Sequence, residues 1–212
     1  METLKPLDQI IEMDARNKAH GFTLAARHKQ VSDLELSPDV PEPILSAFAV
    51  AQNLWLYGWF CWPLYTLASF EAFRCIEMAL INRWRDAGSP PLSKRPSKRT
   101  PPLKQLFGMA IGRGWLSDGD FQHVRRHQEC QRAYNEMLAG SLPAEAAKQP
   151  KLDRYVNILK DVLPDLRNSH AHSGGITIAV PDYGFAYLET ARDIIQRLFP
   201  ASSAPSPPPA GR

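Results

Sequence analysis

The chain has little of what would pin down a chemistry at once. Its three cysteines, Cys61, Cys75 and Cys130, are odd in number and widely spaced, with no CxxC pair. That shows no disulfide framework or thiolate ligand spacing, and it fits reduced, mostly buried thiols in the cytoplasm. The opening METLKPLDQIIEMD carries acids where an export signal needs a basic patch and an apolar run, so no such signal is read there. No internal repeat is evident. Strand-like alternation is nearly absent. The net charge of +3 permits an anionic partner without requiring one.

One absence points the other way. From Ile44 to Phe70, ILSAFAVAQNLWLYGWFCWPLYTLASF, there is no charged residue, and a run of that length is nominally long enough to span a bilayer. Pro63 divides it, Gln52 and Asn53 sit inside its first half, and its second half continues into Glu71, Arg74 and Glu77. Two buried helices of a helical core are the better reading, and no membrane partner is expected.

What is present is helical. A hydrophobic fraction of 44% and a charged fraction of 22% are those of a globular chain. Apolar residues recur at helical intervals near 6–19, 22–34, 44–61, 64–86, 103–113 and 118–138, in a segment starting at Lys151, and near 188–199. Proline-rich breaks separate them at Ser37–Pro43, at Ala87–Pro102 and in AGSLPAEAAKQP, while SDGD offers a helix cap before 121. ITIAV, Ile176–Val180, is the one strand-like piece, with room for a minor β-hairpin across PDYG to Phe185–Tyr187. The expected fold is therefore an all-α bundle with at most that hairpin. It divides into an N-terminal helical extension at 1–43, a helical domain at 44–199 and a disordered Pro-rich tail at 200–212.

The densest chemistry lies in LPDLRNSHAHSGG, Leu163 to Gly175. Leu152, Val156, Leu159, Val162 or Leu163, and Leu166 form an apolar stripe that would hold this helix on the core and deliver Arg167 at its end; Pro164 would kink it or start a fresh turn, and Gly174-Gly175 stop it. In an unbroken helix, positions 167 and 172 stand about 140° apart. They cannot then share one small target within a single chain, so either the helix ends before His172 or a second copy completes the group.

Arg167-Asn168 followed by His172 resembles the R-N-x-x-x-H motif of the HEPN family, the higher eukaryotes and prokaryotes nucleotide-binding domains. Leu64–Leu80 resembles that family's early helix with an embedded acid, Leu103–Leu116 its connecting helix, and Leu188–Phe199 its final helix; the likeness covers 44–199. His170, the serine after Asn168 and Pro164 depart from the pattern.

The resemblance implies a HEPN-like helical bundle and metal-independent endoribonuclease activity at a homodimer interface, leaving 2′,3′-cyclic phosphate ends, in a toxin or a defence or stress nuclease. His172 would transfer protons and Arg167 would steady the phosphate; Asn168 would orient the backbone or ribose, with His170 as helper. Glu71, in the row Leu64, Leu67, Cys75, Met78, is expected to be half buried and to meet Arg167 or Asn168, or else to pair with a nearby lysine or arginine or simply be exposed. Lys94, Arg95, Lys98 and Arg99 could hold an RNA backbone or simply form a solvated loop.

No cofactor and no metal are expected. His170/His172 and His123/His127 have spacings that zinc sites use, but neither pair has an obvious third ligand. Trp55, Trp59 and Trp62 read as core or dimer contact rather than as a stacking platform for bases. The expected partners are RNA, a second copy, and an antitoxin or other regulatory protein. The competing reading is a non-catalytic HEPN-like module that binds RNA or a protein and keeps Arg167 and His172 for structure.

Overall fold

In the computed structural model the described residues are 4–92, 100–122, 124–126, 129, 154–171 and 180–200. They form an all-α fold, with no strand among them. Six helices carry it: α1 Leu24–Ser32, α2 Glu42–Tyr57, α3 Leu64–Asp86, α4 Leu103–Gly112, α5 Arg154–Ala171 and α6 Pro181–Leu198. Short 3-10 turns at Leu7–Gln9, Ala15–His20 and Asp118–Asp120 complete the described elements.

The helix α3 is the axis of the fold, packing on α2, α4, α5 and α6. Its buried residues include Tyr65, Ala68, Ala72, Phe73, Ile76, Ala79 and Leu80, and the alanines keep that face flat enough for neighbouring helices to come close. Across from it α2 buries Ala47, Phe48, Ala51 and Trp55. The uncharged run Ile44–Phe70 is thus α2, a turn and the first third of α3, and no described helix is long and apolar enough to cross a membrane. Trp55, Trp59 and Trp62 are all buried, as their core reading expected.

The α2–α3 turn is held by the N-terminal segment. A helix leaves its last carbonyls and first amides without internal partners. Asn17, 1% exposed, donates Nδ2 to the carbonyls of Gly58 (3.2 Å) and Trp59 (3.0 Å) and accepts the Tyr65 hydroxyl at 3.0 Å. Asp14 accepts the Trp62 amide at 3.2 Å and pairs with Arg16 at 2.7 Å. Gly58 is required by space: a Cβ there would stand 2.5 Å from the Tyr65 ring.

Two sequence expectations change at the C-terminal end. The last helix begins at Pro181, seven positions before the expected start, so Phe185–Tyr187 is helical and the hairpin does not form there. PDYG was read as a turn, but proline at the first helical position followed by an acid in the first turn is also a helix-start signal. Phe185 then meets Trp55 (ring centroids 5.2 Å) and Tyr187 meets Phe73 (4.9 Å), contacts that outweigh any local turn preference. Ile176–Ala179 and the tail 201–212 lie outside the described residues.

Candidate functional site

The position of α5 is set at its N-terminal end by one buried aspartate. Ser117 and Asp120 form a reciprocal capping box, but it caps the 3-10 turn Asp118–Asp120. Its central Asp118, 4% exposed, reaches away from that turn to α5. There Oδ2 accepts the Tyr155 amide at 3.0 Å and Oδ1 the Val156 amide at 2.9 Å. Val156, Leu159 and Leu163 are buried along the same helix, and Pro164 is accommodated inside it. The apolar stripe read in the sequence therefore holds α5 against α3 and α4 and carries Arg167 to the last turns.

Arg167 is half exposed, and its guanidinium is aimed by two acceptors. Nη2 donates to Glu77 Oε2 of α3 at 3.0 Å, and Nη1 donates to Asn168 Oδ1 at 3.2 Å. An ion pair with side chains 37% and 26% exposed contributes little to stability, so its physical effect is to place the cation. These bonds take up two of the guanidinium's five N–H groups.

Glu77 replaces the acid expected at this point. Glu71 does not meet Arg167 or Asn168; it is held by Arg74, three residues along the same helix, whose Nε lies 2.9 Å from Oε2 and whose Nη2 also bonds it. The two glutamates are six residues apart, about 120° around α3. Glu77 is flanked by the buried Phe73 and Leu80, at the margin of the packed face, whereas Glu71 follows Leu67, which is 50% exposed. Expecting Glu71 to be covered was correct, since its side chain is 13% exposed, but the cover comes with Arg74. Its place between Phe73 and Leu80 is a faint trace of Glu77 in the sequence, and does not by itself choose it over Glu71, which precedes the buried Cys75.

His170 lies in the last turn of α5, and its side chain is not described; His172 lies outside the described residues. So do Lys94, Arg95, Lys98 and Arg99, as well as His123, His127 and Cys130. Among the described residues no group of three or more potential ligands could hold a metal.

A second basic feature lies beside the end of α3. Arg83 and Arg113 both stack on Trp115, with guanidinium carbons 4.9 and 5.3 Å from the ring centroid. Arg113 also lines an open groove of about 500 Å³ with Leu92, Gln105, Gly108 and Gly112. Leu92 is the last described residue before the segment holding Lys94–Arg99, so this cation–aromatic cluster lies where that basic segment departs. Arg83 and Arg113 were not singled out in the sequence, where each looks like an ordinary helix-end base.

No known protein-family model matches the chain, and neither a curated protein nor a solved structure matches it.

Proposed function

We propose that the chain is a HEPN-type, metal-independent endoribonuclease that works as a homodimer in the cytoplasm. The observation that carries the reading is Arg167, presented near the end of a packed helix and oriented by Glu77 and Asn168, in the segment that goes on to His170 and His172. A planar cation held in that way suits the task of gripping two oxygens of a phosphate.

In this mechanism one imidazole takes the proton from the ribose 2′-hydroxyl, which attacks the neighbouring phosphorus. The bond to the departing 5′-oxygen breaks as a second imidazole protonates it, and a 2′,3′-cyclic phosphate remains. His172 supplies the proton work, with His170 assisting. Arg167 stabilises charge on the phosphorane. Each chain brings one such arginine, and a twofold axis supplies the second set. Lys94, Arg95, Lys98 and Arg99, together with Arg83 and Arg113, would hold the flanking backbone. A toxin or a defence or stress role, restrained by an antitoxin or other regulatory protein, fits an enzyme of this chemistry.

The Arg167–Glu77 pair also favours a second reading, a non-catalytic module in which Arg167 ties α5 to α3. Mixed RNA incubated in EDTA with wild type, His172→Ala and Arg167→Ala separates them. Cleavage by wild type alone supports the enzyme; inertness of all three, with RNA or protein still bound, supports the module.

A further inference from the structure

The helix α1 carries an arginine that its surroundings do not complete. Arg27 is 1% exposed. Its guanidinium is boxed by three rings, with its central carbon 5.0 Å from the Phe22 centroid, 5.2 Å from Trp55 and 5.7 Å from Tyr65. Aromatic rings attract a cation over their π faces. They accept nothing from N–H groups directed past them in the guanidinium plane. Nε and Nη2 of Arg27 are both buried with no acceptor among the described residues.

These two nitrogens share one edge of the guanidinium, and their N–H bonds run parallel. That edge grips two oxygens of a single carboxylate or phosphate. The two acids that act on the neighbouring Tyr65 do not supply them. Asp14 is taken by Arg16 and the Trp62 amide, and Asp182, on the first turn of α6, is exposed and makes no ion pair with Arg27. The Tyr65 hydroxyl is committed to Asn17. A buried cation whose faces are satisfied and whose forked edge is not is short of one oxyanion.

We infer that Arg27 is the floor of a binding site for a small oxyanion, the carboxylate or phosphate group of a ligand held side-on by Nε and Nη2. Entry is by way of Phe22. This ring is 46% exposed although it covers the guanidinium, and it stands between Gly21, in the left-handed conformation at φ 64°, and the α1 cap Thr23. Turning Phe22 outward uncovers Arg27 while Trp55 and Tyr65 stay fixed in the core. The site shares no residue with the Arg167 cluster and does not depend on RNA cleavage.

The test is a thermal-unfolding and calorimetric titration of the full chain with sodium phosphate, sodium acetate and sodium chloride at one constant ionic strength. A saturable rise in Tm with phosphate or acetate, absent with chloride, is expected, and the stronger of the two identifies the group. Phe22→Ala lowers the half-saturating concentration severalfold by removing the cover. Arg27→Met, which keeps the length without the charge, abolishes the response. Should that variant fail to fold, Arg27→Lys serves, since it keeps the charge without the fork and also loses the saturable response. Equal effects of all three salts on wild type, or a saturable response that survives in either Arg27 variant, overturn the proposal.

Discussion

Replacing Asp118 with alanine is the most quantitative test of how α5 is positioned. Its two carboxylate oxygens accept the Tyr155 and Val156 amides at 3.0 and 2.9 Å from a site 4% exposed. Hydrogen bonds to a charged group contribute about 1.5–3 kcal/mol each, whereas losing a single helix cap costs about 0.5–2 kcal/mol. The two amides are at the start of a helix, where water can replace part of the loss, so the sum falls near 3 kcal/mol, a large share of the roughly 5–15 kcal/mol that stabilises a domain. Asp118→Asn is the control: its amide oxygen can accept one N–H, but its NH2 group is set against the other, and about half the loss is expected. Urea unfolding followed by circular dichroism reads both midpoints. A loss below about 1 kcal/mol for Asp118→Ala, or an Asn variant as stable as wild type, would refute the claim that this aspartate fastens α5.

Acid sensitivity follows from Asp14, whose carboxyl is held at about 2, chiefly by the side-chain hydrogen bond from Arg16, with the Arg16 and Trp62 amides adding to it. Because the folded value is depressed, its stabilisation is present above the ordinary carboxylate range near 4 and is lost as pH falls toward 2; Asp14→Asn should flatten the stability profile across that window, and an unchanged slope would count against it. Gly58→Ala puts a methyl into the Tyr65 ring and should cost about 1–3 kcal/mol by overpacking, measured as a drop in Tm. Burial pushes the Cys75 thiol up to about 12, while Cys61 is exposed, so brief alkylation with peptide mapping should label Cys61 in the native protein and Cys75 only after unfolding.

The helical class was legible because apolar spacing at 3.6 residues is a local property; the buried stripe of α5 runs through Val156, Leu159 and Leu163, and the structure chooses Leu163 over Val162, which is 43% exposed. The start of α6 was not, since PDYG satisfies turn and helix-start rules equally, and the choice was made by Phe185 and Tyr187 finding aromatic partners on α2 and α3. Among candidate site residues, Arg167 beside Asn168 could be read from the chain, but its acidic partner could not. Choosing Glu77 over Glu71 depends on which face of α3 meets α5, a tertiary fact. Arg27 left a trace in the sequence: it falls three residues after Leu24 and four before Val31, an apolar register where a charge is out of place.

The central claim is that Arg167 and His172 together cleave RNA without a metal. End-group analysis of RNA treated with purified protein in EDTA tests it most directly. The account predicts fragments ending in 2′,3′-cyclic phosphate from wild type and none from Arg167→Ala or His172→Ala proteins that remain folded. Cleavage that requires added divalent metal, or that persists undiminished in both variants, would contradict it.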